Sequence, residues 1–154
     1  VNTQAVADID ELVKDALNRG ATATIGGGPG ELGPCYYQMT VLTNVDTAMR
    51  VHKEEIFGPV APIFRFKTEA EAIALANDTE FGLASYIYTR DIGRVWRVSE
   101  GIEYGMVGVN ETAITSDIIP FGGVKESGMG REGSKYGVDD YIETKYICMG
   151  GLDK

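Results

Sequence analysis

Histidine and tryptophan occur once each in these 154 residues and cysteine only twice, which excludes several kinds of chemistry. Cys35 and Cys148 are too far apart in sequence to suggest a disulfide framework or a metal cluster, and His52 alone argues against a zinc site. Neither cysteine is placed as a nucleophile. A thiol needs a base, a cation or a helix N-terminus to ionise it. Cys35 has Gly33, Pro34, Tyr36 and Tyr37 around it, and Cys148 sits among apolar neighbours. Positive charge is also scarce. Lys and Arg number 14 against 23 Asp and Glu, and the net charge of −9 argues against nucleic acid or an anionic membrane as partner. No apolar run approaches the roughly 20 residues needed to span a bilayer, and no secretory signal opens the sequence. Reduced thiols in a cytoplasmic protein are the expectation. Position 1 is Val rather than Met, which predicts either a processed start or a place inside a longer chain.

Glycine, in contrast, is abundant, with 20 residues concentrated at 26–33 and 122–137, and predicts tight turns or close backbone approaches. Three of these runs match phosphate loops in spacing only. Gly28-Pro29-Gly30-Glu31-Leu32-Gly33 fits G-x-G-x-x-G, yet it runs into Pro34 and a β-rich segment, with no helix start to receive a pyrophosphate. Gly128-Met129-Gly130-Arg131-Glu132-Gly133 precedes a helix, but no hydrophobic strand feeds it. Gly123 and Gly128 have P-loop spacing, while Met129 and Gly130 stand where Lys and Ser or Thr are required. All three read as turns.

Between the turns, strand and helix patterns alternate. Ile9, Leu12, Val13, Ala16 and Leu17 recur at helical spacing over residues 4–19, with Gly20 placed to stop the helix. A short strand is expected at 21–25, a β-rich run at 36–45 and a strand at 60–66. Thr68-Glu69-Ala70-Glu71 is a capping box that starts a helix running through Ala76. Residues 84–89 form a strand, Asp91 caps a helix carrying Ile92, Val95, Trp96 and Ile102, and 106–109 is a short apolar strand. The alternation predicts the α/β class, with a mostly parallel sheet covered by helices. After Asn110 the pattern becomes a long loop, a short helix at 134–141 and a terminal strand at 144–149.

Two segments carry chemistry. In Glu54-Glu55-Ile56-Phe57-Gly58-Pro59 a carboxylate stands beside a fixed turn and an aromatic ring. Such a carboxylate accepts two hydrogen bonds from a ribose diol while the ring packs on a flat heterocycle, a combination that suits nicotinamide ribose. The bland reading is two solvated carboxylates. Pro120-Phe121-Gly122-Gly123 sets an aromatic on a stiff turn, either as a buried anchor or as a pocket wall that packs on a substrate. His52, between Val51 and Lys53, reads as a surface residue without a role.

Together with residues 77–85 (Asn-Asp-Thr-Glu-Phe-Gly-Leu-Ala-Ser), 105–110 and 125–132, these segments resemble aldehyde dehydrogenases over nearly the whole chain. The tail, 130–137, 140–148 and 150–152, is similar to the succinate-semialdehyde dehydrogenase branch of that family. The resemblance implies that residues 1–143 are the C-terminal portion of the catalytic domain. Residues 144–154 would be a terminal oligomerisation strand and tail, in a homodimer or homotetramer. The implied activity is oxidation of succinate semialdehyde to succinate by NADP or NAD, in 4-aminobutyrate degradation, through a thioester on a cysteine. By position, Glu55 would bind the nicotinamide ribose, Phe57 would pack near the nicotinamide ring and Phe121 would line the aldehyde pocket. The family's serine that helps hold the substrate's far carboxylate falls at Thr115, followed here by Ser116, and a threonine hydroxyl donates the same hydrogen bond. The family's dinucleotide domain, glutamate base and nucleophilic cysteine lie upstream of position 1. No catalytic residue and no metal ligand is therefore expected here, and the chain alone is expected to be inactive. A glutarate-semialdehyde dehydrogenase is the nearest alternative, since one methylene gives only about 1–3 kcal/mol of discrimination. Other aldehyde dehydrogenases and a non-catalytic truncated assembly module are the remaining ones.

Overall fold

The computed structural model describes residues 2–153 and divides after Thr79 into two compact units. The first begins with α1 (Thr3–Asn18), whose N-cap Asn2 accepts a hydrogen bond from the Ala5 N–H at 2.9 Å. Ile9, Leu12, Val13 and Ala16 are buried along one face, the three larger side chains contributing roughly 1.5–3 kcal/mol each. The helix ends in a Schellman motif. Gly20 takes φ 104° while the Ala21 N–H reaches the Ala16 carbonyl and the Gly20 N–H reaches that of Leu17.

Strands β1 (Thr22–Ile25), β2 (Thr40–Thr43) and β3 (Val60–Pro62) form one sheet in that order. Thr40 and Leu42 of the central β2 are buried on alternate positions. Leu42 joins the α1 face, Met49 and Val51 in the core, with Ile56 and Val60 packed against it. Two helices complete the unit, the single turn α2 (Arg50–Lys53) and α3 (Glu69–Asn77). Thr68 caps α3 by accepting from the Glu71 N–H at 3.1 Å, and Glu71 returns a bond to the Lys67 N–H at 2.7 Å. The expected box therefore forms, reaching one residue further back than its usual N-cap partner.

In the second unit β4 (Ala84–Ile87) and β5 (Met106–Val109) run parallel, Ala84 opposite Met106, with α4 (Ile92–Gly101) as the crossover. Asp91 caps α4 by accepting from the Arg94 N–H at 3.1 Å. A long loop follows Asn110, then two short 3₁₀ turns at Lys125–Ser127 and Asp139–Tyr141.

The α/β class stands, and two of the three strand pairings among the described residues are parallel as expected, while two expectations nearer the C-terminus are corrected. The described residues hold a mixed three-stranded sheet, with β1–β2 antiparallel and β2–β3 parallel, and a separate parallel pair. The cause of the antiparallel pairing is the connection. No helix lies between β1 and β2, so the chain returns as a long hairpin, held further out by the Pro29–Tyr37 bridge. The helix expected at 134–141 is instead a run of turns at 134–138 closing in the Asp139–Tyr141 3₁₀ turn, with Gly137 packed so closely on the Gly133 backbone that a Cβ would not fit. The expected C-terminal strand at 144–149 is not formed. Those residues are exposed and pair with no other described segment, and an isolated extended segment has no ladder to join. No helix among the described residues is long and apolar enough to cross a membrane.

Candidate active site

Glu55 and Phe57 fall in the first unit, on the connection between α2 and β3, and both are exposed. A four-residue helix has almost no stability of its own, and α2 is held from outside. The Asp15 carboxylate of α1 accepts from the Arg50 N–H at 3.0 Å, satisfying an orphan donor at the start of α2. The same carboxylate pairs with Arg19, and these two bonds hold it below the usual carboxylate range. The two successive glutamates then part company. Arg50 grips Glu54 with a two-pronged fork, Nε to Oε1 at 2.5 Å and Nη2 to Oε2 at 2.8 Å, lowering the Glu54 pKa. Glu55 makes no hydrogen bond or ion pair among the described residues. Three residues on, Gly58 presses so closely on Ile9 that a Cβ there would overlap the isoleucine side chain. That contact fixes the turn and leaves the Phe57 ring 82 % exposed.

His52, read from sequence as a surface residue, is not one. Its side chain is only 7 % exposed, its ring lies 5.1 Å from that of Phe64, and its Nε2 meets Asp78 Oδ2 at 2.8 Å. Lys53 donates to Asp78 Oδ1 and to the Asp78 carbonyl. Lys53 and His52 together hold the Asp78 carboxyl below the usual range.

Thr115 and Phe121 fall in the second unit, on the loop after β5. Asn110 turns the chain with φ 55° and clasps the end of β4, its Oδ1 accepting from the Thr89 N–H and its Nδ2 donating to the Thr89 carbonyl. The Glu111 carboxylate accepts from the Ala113 and Thr112 N–H groups, which lower its pKa and curl the loop. Thr115 is exposed beyond this curl. Phe121 is bound into a closed loop. Its N–H and carbonyl both bond to Glu132, and Arg131 Nη1 donates to the carbonyls of Gly123 (2.8 Å) and Gly130 (2.6 Å). Inside that loop lies an open cavity of about 430 Å³ lined by Phe121, Ser127, Arg131, Asp140 and Tyr141 among others; Thr115 is not in its lining.

The structure thus pairs Glu55 with Phe57 in one unit and sets Thr115 and Phe121 on one loop of the other. Sequence reasoning missed Asp78, Asp15, Glu111 and Arg131. Only Asp78 carried a local signal, as the residue just past α3. Cys35 and Cys148 are exposed free thiols, and no group of metal-ligating side chains occurs among the described residues.

The chain is thus α/β, with a carboxylate and an aromatic on one exposed turn of the first unit and a second aromatic walling an open cavity in the second. The family follows from comparison. The aldehyde dehydrogenase family matches residues 1–147, and the chain belongs to it. It is 56% identical over its whole length to a 3-sulfolactaldehyde dehydrogenase of Pseudomonas putida, covering 32% of that protein. It is 54% identical over 152 residues to a glutarate-semialdehyde dehydrogenase of Pseudomonas aeruginosa, again covering 32%. Among solved structures, the succinate-semialdehyde dehydrogenase from Burkholderia pseudomallei matches at 56% identity and TM-score 0.91, covering 95% of this chain and 30% of that one. Betaine aldehyde dehydrogenase from Staphylococcus aureus, in complex with NAD+, matches at 38% identity and TM-score 0.87, covering 95% of this chain and 30% of that one. The chain spans about a third of the length of the curated relatives it matches.

Proposed function

We propose that this chain supplies the nicotinamide-ribose and aldehyde-pocket segments of an NADP- or NAD-dependent dehydrogenase of short acidic aldehydes, succinate semialdehyde first among them. The observation that carries the cofactor half is the contrast between two adjacent carboxylates. Glu54 is consumed by Arg50, while Glu55 stands exposed, with no partner among the described residues, next to the exposed Phe57 ring. That arrangement fits a ribose diol on the carboxylate and a flat heterocycle against the ring. The nicotinamide supplies a hydride acceptor when bound. Glu55 holds the sugar, Phe57 limits how far the ring swings, and Phe121 with its closed loop keeps water from the aldehyde. Thr115 donates to the far carboxylate of the substrate.

In this reading residues 1–143 are the C-terminal portion of a catalytic domain and 144–154 the oligomerisation segment of a homodimer or homotetramer. The exposed, unpaired stretch with Tyr146 and Ile147 supports that assignment. The enzyme would be cytoplasmic and serve 4-aminobutyrate degradation, and the 154 residues alone would be inactive. The relatives act on semialdehydes of two lengths and on a sulfonated aldehyde, so the aldehyde is settled by kinetics. On the full-length protein carrying this chain, kcat/KM is measured for succinate, glutarate and 3-sulfolactaldehyde substrates. Succinate semialdehyde should rank first. Glu55→Ala should raise the KM for the nicotinamide cofactor at least tenfold. A ranking led by another aldehyde would replace the substrate, and an unmoved cofactor KM would remove Glu55 from the site.

A further inference from the structure

We propose that Asp78 is a positioning residue for the nicotinamide-ribose carboxylate Glu55, acting through Lys53 and His52 at the end of α2. The inference rests on the reading that Glu55 and Phe57 hold the cofactor. Asp78 sits just past α3, with its own N–H bonded to the Leu75 carbonyl, so it is fixed to that helix. From there it takes three contacts from two successive residues of α2. Oδ1 and the main-chain carbonyl both accept from Lys53 Nζ, and Oδ2 meets His52 Nε2 at 2.8 Å. The His52 ring is held from a third side by Phe64, just beyond β3. The last turn of α2 is therefore gripped between the ends of α3 and β3, two residues before Glu55.

The remaining anchors of this segment are at its other end and beyond it. Asp15 holds the first residue of α2 and Gly58 seats the turn on Ile9. Between them Glu54 is tied back into α2 by Arg50, which leaves Glu55 as the first side chain free of the helix. Without the Asp78 grip, the backbone that aims Glu55 loses the anchor nearest to it and is held only at the start of α2 and at the Gly58 turn. A carboxylate that must meet two hydroxyls of one sugar loses affinity when its backbone has to be ordered on binding. The hydrogen bonds from Lys53 and His52 keep the Asp78 carboxyl below the usual range, so its pair with Lys53 is charged at neutral pH.

The test uses the full-length dehydrogenase carrying this chain, with NAD+ and NADP+ as probes. Asp78→Ala should raise the KM for the nicotinamide cofactor about tenfold and leave the aldehyde KM within about twofold, because only the ordering of Glu55 is lost. Asp78→Asn, which keeps an acceptor for Lys53, should restore most of the affinity. Lys14→Ala, which breaks an ion pair between an exposed lysine and Asp10 in the same unit, should change neither KM. If Asp78→Ala fails to fold, Lys53→Met asks the same question from the other partner and should give the same split. A Glu55→Ala effect on the cofactor KM without one from Asp78→Ala or Lys53→Met overturns the positioning role. No effect from Glu55→Ala removes the cofactor reading itself and the positioning role with it.

Discussion

Gly58→Ala tests whether the turn before β3 is seated by packing on α1. The glycine has no left-handed backbone requirement, so alanine is conformationally acceptable there and should stabilise by about 0.4–1 kcal/mol through the unfolded chain. Against that stands the overlap of the new Cβ with the Ile9 side chain, whose Cγ1 would lie 2.9 Å away and whose Cδ1 closer still. Ile9 is only 6 % exposed and hemmed by the core, so it cannot swing aside freely. Overpacking of this kind costs about 1–3 kcal/mol, and the clash wins. Ile9→Ala alone should cost about 2–5 kcal/mol as a cavity. In the double variant the Gly58→Ala methyl occupies part of that cavity, so the two costs fall short of their sum by about 1 kcal/mol or more. Urea unfolding of the four proteins measures the cycle. Additivity within about 0.5 kcal/mol would refute the claimed contact.

Two further predictions follow from the same unit. Leu42→Ala, at a fully buried position of the central strand, should cost about 2–5 kcal/mol in urea unfolding, several times the effect of Thr24→Ala on exposed β1. Burial and the neighbouring Asp10 push the Tyr37 phenol well above its ordinary range. A raised value means the protonated form is favoured by folding. Its stabilisation is fully present below the unfolded tyrosine range near pH 10 and lost as pH climbs through the folded value. Tyr37→Phe should remove the last-titrating phenol from an absorbance titration and flatten the alkaline limb of the stability curve.

Where local rules decide the structure, the sequence was a good guide. The 3.6-residue spacing of Ile9, Leu12, Val13 and Ala16 gave α1 within one residue at each end, and Gly20 closed it. Thr68 and Asp91 cap the helices they were expected to cap. Errors arose where a distant partner decides. One turn of helix shows no periodicity, and α2 exists because Asp15 meets it from 35 residues away. His52 lies in a charged run, yet Phe64 and Asp78 cover it. The direction in which β2 returns to β1 depends on the path of a 14-residue glycine-rich connection, which composition alone does not set. In the candidate site, the residue types of Glu55 and Phe57 were legible, whereas the division of labour between Glu54 and Glu55 required the Arg50 fork.

The shared carboxylate of Asp15 has a consequence for the order in which this unit assembles. It serves the last turn of α1 through Arg19 and the first residue of α2 through the Arg50 amide. Because a single turn cannot nucleate by itself, α2 must wait until α1 has formed and docked. The segment that aims Glu55 is thus among the last parts of the unit to acquire its shape and among the first to lose it. In native-state hydrogen exchange the Arg50 amide should open together with the C-terminal turn of α1, so that fraying there becomes transient blindness at the ribose site.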